Sequence, residues 1–169
     1  MVWALAYIAT IFGANLLITH VGVVPVGVWP TGQVLLAPAG VYCAGLAFTF
    51  RDLTQDTLGR AWTIGAIVVG AALSALLSPQ LALASGTAFL LSELADLAVY
   101  TPLRERHWLA AVAVSNTVGL LVDSVLFLLL AFGSLDFLPG QIVGKWWMTA
   151  LAVAVLWLWR RTATRPRQA

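Results

Sequence analysis

The sequence predicts an all-α integral membrane protein with six transmembrane helices and both termini in the cytoplasm. Of its 169 residues, 61% are hydrophobic and only 9% are charged, whereas a soluble domain carries about 25% charged residues. The mean hydropathy of +0.93 agrees with this. The apolar residues form long runs that short stretches of turn and charged residues separate, and the arginines lie on one side of these runs. These observations predict a membrane protein and its orientation.

An α-helix needs about 20 mostly apolar residues to cross the hydrocarbon core of a bilayer. Six segments of the chain meet this need, and we interpret residues 1–169 as a single domain built from them. The breaks between them contain Pro, Gly, Ser and charged residues, as in "RDLTQDTLGR" and "TPLRERH", which are typical of turns and loops. The predicted spans are residues 2–22, 33–50, 61–77, 80–100, 108–132 and 141–159.

Positive charge is distributed unevenly between the two sides of this arrangement. Eight of the nine Lys and Arg residues lie in loops or the C-terminal tail on one side, and Lys145 lies inside the sixth span. Because cytoplasmic loops carry the excess of Lys and Arg, that side, with both termini, is predicted to be cytoplasmic. The eight residues are Arg51, Arg60, Arg104, Arg106, Arg160, Arg161, Arg165 and Arg167.

A few strongly polar residues remain inside the predicted spans. A charge at the centre of a transmembrane helix costs about 2.5–3.5 kcal/mol on insertion scales. Such groups therefore face the interior of a helix bundle or a water-filled cavity, and they mark functional sites more often than chance. The residues of this kind are Asn15, Glu93, Asp96, Asn116, Asp123 and Lys145.

Four of these residues are predicted to bind substrate. In "SELADLAVY", Glu93 and Asp96 are three residues apart and share a helix face, as do Asn116 and Asp123 two turns apart. Glu93 is the strongest candidate, because it lies deep and has no cation on its own helix. Asp96 could instead mark the interfacial end of the span, and Asn15 could form a structural hydrogen bond between helices. The predicted substrate-binding residues are Glu93, Asn116, Asn15 and Asp96.

Two further groups of charged residues have candidate roles. Lys145 and Asp123 lie on adjacent spans, about 6 and 13 Å below the outer surface at 1.5 Å of rise per residue. A lysine side chain can bridge that difference, so they are predicted to form an ion pair, either structural or coupled to transport. Arg51, Asp52 and Asp56 lie in the cytoplasmic connector, where they form either a solvated loop or an inner gate whose ion pairs change during transport.

Several other function classes fit the sequence poorly. One Cys and two His residues, far apart along the chain, predict no metal site and no internal disulfide. The stretch "GQIVGKWW" lacks the spacing and the hydroxyl residue of a phosphate-binding loop. No hydrolase or metalloprotease motif is present, so the chain is predicted not to be an enzyme and to need no cofactor. A net charge of +2 is too small to favour nucleic acid.

Five stretches of the chain carry a resemblance to a known family: "GANLLITH", "GVYCAGLAFTFRDLTQDTLG", "SELADLAVYTPLRER", "SNTVGLLVDSVLFLLLAFG" and "GQIVGKWWMT". In this order, and over nearly the whole chain, they resemble the VUT family of vitamin uptake transporters, also described as queuosine precursor transporters. The resemblance implies import of 7-cyano-7-deazaguanine, or a related 7-deazapurine base, across the bacterial inner membrane. Many members have Phe-Pro where this chain has Ala44-Gly45. The family's polar positions are occupied here by Asn15, Asp52, Asp56, Gly59, Glu93, Asp96, Asn116, Asp123 and Lys145.

The chemistry of such a base suits these residues. A deazaguanine is neutral and planar, so carboxylates and amides can bind its polar edges while aromatic rings stack on its faces. The expected partners are the lipid bilayer, a small nucleobase-like molecule and, in an oligomer, further copies of the chain. Two alternatives stay open: the substrate-capture subunit of an energy-coupling vitamin importer, and an intramembrane enzyme acting on lipid-linked substrates.

Overall fold

The computed structural model of the protein describes residues 1–103 and 108–163; within these ranges some side chains, including those of Asp96 and Asn116, lie outside the description. In this part of the chain six helices follow one another in the expected order, with a two-stranded hairpin after the first. The elements are α1 Val2–Val21, β1 Val23–Val28, β2 Val34–Pro38, α2 Val41–Leu58, α3 Arg60–Ala75, α4 Pro79–Leu103, α5 Trp108–Phe132 and α6 Leu138–Ala163.

The hairpin between α1 and α2 was not predicted. The sequence instead predicts a loop at β1 and the second transmembrane span at β2. β1 and β2 pair antiparallel, with Val23 opposite Pro38. The β-branched valines of "VVPVGV" favour extended backbone, and Gly32 adopts a φ of +86° in the turn, where a glycine meets no steric penalty. This corrects the predicted second span, 33–50: the helix begins only at Val41.

The second helix also ends later than the sequence predicts. The stretch "RDLTQDTL" contains no Pro or Gly, and it continues α2 as far as Leu58. Gly59 then ends the helix with a φ of +86°. The first half of the predicted connector is therefore helical, and Arg51 and Asp52 have fixed positions on α2.

The outer surfaces of the helices are apolar. By length and composition, one helix of the described residues, α1, is suited to crossing a bilayer, with a mean hydropathy of 1.8. α3 and the segment Thr117–Phe132 of α5 are apolar but shorter. Soluble monomers rarely expose contiguous apolar patches larger than a few hundred Å². Large exposed apolar residues on five of the helices include Leu5, Val68, Leu83, Leu94, Leu121, Trp147 and Val155.

Glycines on α6 let it pack closely against the hairpin and α2. A Cβ atom at Gly140 would lie 2.0 Å from the carbonyl oxygen of Leu36 in β2. A Cβ at Gly144 would lie 2.8 Å from a methyl group of Val41. The two glycines are four residues apart, the spacing that allows close helix packing in membranes. Helix packing therefore explains the two glycines in "GQIVGKWW", and a phosphate-binding role is not needed to explain them.

Small residues spaced four apart form a stripe on α3, and this stripe packs against a neighbouring helix. Ala66, Gly70 and Ser74 are buried. A Cβ at Gly70 would lie 2.9 Å from Ile11 of α1. The stripe therefore holds α3 against α1.

Gly140→Ala is expected to destabilise the protein strongly. The added methyl group would overlap a backbone oxygen, which cannot rotate away as a side chain can, so α6 and the hairpin must separate. Overpacking of this kind costs about 1–3 kcal/mol or more. The check is thermal unfolding in detergent, with Gly65→Ala as control, since a Cβ at Gly65 meets nothing within 4 Å. Equal melting temperatures for the two variants would contradict this account of the α6 packing.

Candidate functional site: a cavity between five helices

A small cavity lies where α1, α2, α4, α5 and α6 meet. Its volume is about 40 Å³, enough for about three water molecules at 10–15 Å³ each. Its walls are mainly apolar, with Phe89 and Phe127 as the aromatic members. The polar side chains that line it are those of Thr10, Ser85, Asp123, Gln141 and Lys145.

Lys145 and Asp123 form a buried ion pair in the wall of this cavity. The Lys145 Nζ atom donates to Asp123 Oδ2 at 2.5 Å and to the Ser124 hydroxyl oxygen at 2.8 Å. The two charged side chains are 1% and 6% exposed. The pair links α5 to α6, and its two charges cancel, so the cavity wall carries no net charge from it.

Two buried amide side chains, Gln141 in the cavity wall and Asn15 behind Ser85, have polar atoms without a hydrogen-bond partner in the described part of the chain. Asn15 Oδ1 accepts a hydrogen bond from the Ser85 hydroxyl at 3.1 Å, but its Nδ2 has no partner among the described residues. Gln141 Oε1 also has none within that part of the chain. Both residues are at most 2% exposed. Native proteins leave few such atoms unsatisfied, so each one calls for an explanation.

Aromatic side chains close one end of the cavity. The rings of Phe48 and Phe89 stack at 5.4 Å between centroids, and Tyr7 meets Phe89 edge-on at 6.0 Å. Lys145 Nζ lies 6.0 Å from the centroid of the Phe48 ring, and Arg51 Cζ lies 5.6 Å from it. We call Tyr7, Phe48 and Phe89 the aromatic floor.

A second ion pair lies one helical turn beyond the floor. Arg51 follows the cavity-lining Ala47 by four residues on α2, and Glu93 follows Phe89 by four on α4, so each lies about 6 Å further along its helix. Arg51 Nη1 donates to Glu93 Oε1. Arg51 also donates from Nε and Nη2 to Asp52 Oδ1, at 2.9 and 2.7 Å. The pair links α2 to α4.

This contact changes the interpretation of Glu93. The sequence presents it as a deep acid beside a second acid, without a cation on its own helix, whereas the structure supplies Arg51 from α2. Its side chain is 20% exposed, and it does not line the cavity. A role for Glu93 in binding substrate therefore stays a prediction, and its observed partner is Arg51.

The remaining predicted site residues fall in three places. Asn15 accepts a hydrogen bond from Ser85, which lines the cavity. Asp52 and Asp56 are exposed on α2, near the end of that helix. The side chains of Asp96 and Asn116 lie outside the described residues. Among the residues that are described, no group of three or more His, Cys, Asp and Glu could hold a metal ion.

Sequence reasoning missed Gln141, which the structure places in the cavity wall. It stands at the first residue of the predicted sixth span, where a polar side chain is expected at the membrane surface and attracts no notice. Its spacing of four residues from Lys145 puts both on one face of α6, and this was the available signal.

The family model described as "Putative vitamin uptake transporter" matches residues 76–161, slightly more than half of the chain. The chain belongs to the VUT family. No curated protein sequence and no solved structure matches it. The VUT segment contains α4, α5 and most of α6, and hence Phe89, Glu93, Asp123, Gln141 and Lys145. Membership in the VUT family indicates a membrane protein of the vitamin uptake transporter class.

Proposed function

We propose that this protein is a six-span carrier that imports a queuosine precursor, 7-cyano-7-deazaguanine or a related 7-deazapurine base, across the bacterial inner membrane. The observation that carries the proposal is the cavity between five helices, which has apolar and aromatic walls and a few buried polar groups. Sites for small molecules combine these features.

The polar groups at the cavity suit a neutral planar base. The charges of Lys145 and Asp123 compensate each other, so a charged ligand would bring an unbalanced charge into a buried site. Gln141 offers an acceptor in the cavity wall, and Asn15, behind Ser85, offers a donor; neither atom has a partner among the described residues. Phe89 and Phe127 offer rings on which a planar molecule can stack.

The proposed carrier must open this cavity to bind its substrate. A volume of about 40 Å³ is far below the roughly 300–1,000 Å³ of ligand pockets, so the helices must separate to admit a base. The aromatic floor and the Arg51–Glu93 pair close one end. With Asp52 and Asp56 they form the proposed cytoplasmic gate.

The decisive experiment is uptake of labelled 7-cyano-7-deazaguanine into liposomes that contain only the purified protein, with thermal-shift measurements on the same preparation. A ligand that binds the folded state raises the apparent melting temperature. Guanine, thiamine, riboflavin and biotin serve as comparison ligands. Uptake by the protein alone supports a carrier, whereas binding without uptake would support a substrate-capture subunit. Stabilisation by one of the vitamins but by no deazapurine would contradict the proposed substrate.

Both termini of the proposed carrier lie in the cytoplasm, because all eight arginines fall toward that side of a six-span arrangement. Reporter fusions at Ala169 and within residues 133–140 are therefore expected to report opposite sides of the membrane. If both fusions report the same side, the six-span arrangement is wrong.

A further inference from the structure

We propose that Gln141 and Lys145 form a recognition pair for an amide edge, which is a ring N–H beside a carbonyl group, as in a lactam or a cyclic urea. The pair would bind the polar edge of a neutral heterocycle and so determine which bases the protein accepts. This inference rests on the proposed function, since it takes the cavity to be the substrate site.

Gln141 provides the acceptor half of the pair. Its side chain lines the cavity and is 2% exposed, and its Oε1 atom has no hydrogen-bond partner among the described residues. A buried acceptor without a partner is unfavourable in the empty protein. A ligand N–H that enters the cavity would satisfy it, so this atom favours ligands that donate at that position.

Lys145 provides the donor half. An ammonium group has three N–H donors, and its contacts with Asp123 and Ser124 use two of them. The third is available to a carbonyl oxygen. Because Gln141 and Lys145 are four residues apart on α6, their side chains are neighbours on one face, with Cβ atoms about 5–6 Å apart. A donor and an acceptor held side by side match the adjacent carbonyl and N–H of an amide edge.

The charge balance of the site narrows the ligand class further. Lys145 is paired with Asp123, so it presents a donor without an uncompensated charge. A carboxylate ligand would compete with Asp123 for the ammonium group and leave one acid unpaired. The site therefore favours neutral lactams over acidic vitamins.

The test compares binding of 7-cyano-7-deazaguanine with binding of its O-methylated derivative, in which the ring lactam N–H is lost and the carbonyl oxygen is blocked. The variant is Gln141→Met, which has a similar volume and no polar atom. The control is Gln33→Met, the same change at an exposed position in the hairpin outside the cavity. Affinities come from calorimetry on purified protein.

The wild-type protein and Gln33→Met are expected to prefer the lactam by at least tenfold. Gln141→Met is expected to lose this preference and yet, without ligand, to melt no lower than the wild type, because it removes an unsatisfied group. An unchanged preference in Gln141→Met would overturn the inference while leaving the proposed function intact. A lower melting temperature without ligand would also overturn it, since Oε1 would then have a partner such as a buried water. Wild-type protein that binds neither compound would overturn both proposals.

Discussion

Lys145→Ala is expected to lower the free energy of unfolding by about 3–5 kcal/mol, the usual cost of removing one partner from a buried ion pair. The change leaves the Asp123 carboxylate almost fully buried, with the Ser124 hydroxyl beside it and no opposing charge. The measurement is unfolding of the purified protein in detergent or lipid, followed by a spectroscopic signal from the helices.

The matched control is the double variant Lys145→Ala with Asp123→Asn. Removal of the stranded charge should restore part of the lost stability, so the two changes together should cost less than the sum of the single changes. Strict additivity would show that the contact between the two side chains contributes nothing to stability.

Glu93→Gln is expected to reduce uptake at least tenfold, which corresponds to about 1.4 kcal/mol at the limiting step. The amide keeps an acceptor oxygen for Arg51. It removes the negative charge that Glu93 on α4 places against the buried guanidinium on α2. Because this pair holds α2 to α4 beyond the aromatic floor, the change shifts the balance between closed and open states. Uptake is compared at matched expression, and binding affinity is measured separately.

The comparison of binding with uptake separates the two roles considered for Glu93. A gate residue outside the cavity should lose uptake while substrate affinity stays within about threefold, a change below 1 kcal/mol. A residue that contacts the substrate should lose affinity as well. Glu93→Asp keeps the charge on a shorter side chain and should give intermediate uptake. Normal uptake by Glu93→Gln would mean that the pair has only a local structural role.

The sequence predicts the helices well because each apolar run is long and its ends are marked locally. α5 begins and ends at the predicted residues, 108 and 132, between a charged stretch and Gly133. The hairpin was missed because its stability depends on packing. The backbone of β2 lies against Gly140 of α6, more than 100 residues later, and no local pattern contains that contact.

The two ion pairs also differ in how far the sequence alone predicts them. Lys145 and Asp123 lie on consecutive helices at depths that a lysine side chain can bridge, so the sequence predicts their pairing, and the structure has the contact. Arg51 and Glu93 are 42 residues apart, and the sequence places Arg51 in a loop because a charged stretch resembles a connector. Only the continuation of α2 through this stretch brings Arg51 to Glu93.

α4 and α5 form a closely packed pair whose links to the rest of the chain lie at one end. They pack more extensively on each other than any other pair of elements does, and Gln80 at the start of α4 donates to the Ala131 carbonyl near the end of α5. Residues 76–78 and 133–137 join them to the rest of the chain at this same end. Gly133, which follows α5, has a φ of +67°, and a Cβ atom there would meet nothing within 4 Å.

Such an attachment acts as a pivot, and the displacement grows with distance from it. For a tilt of about 10° at the start of α4, Glu93 would move about 4 Å and the far end of the helix about 6 Å, at 1.5 Å of rise per residue. Asp123 lies nearer the pivot and would move only about 2 Å. One such rotation would therefore separate Arg51 from Glu93 by more than it separates Lys145 from Asp123, and the cavity would widen first at the end beside the aromatic floor.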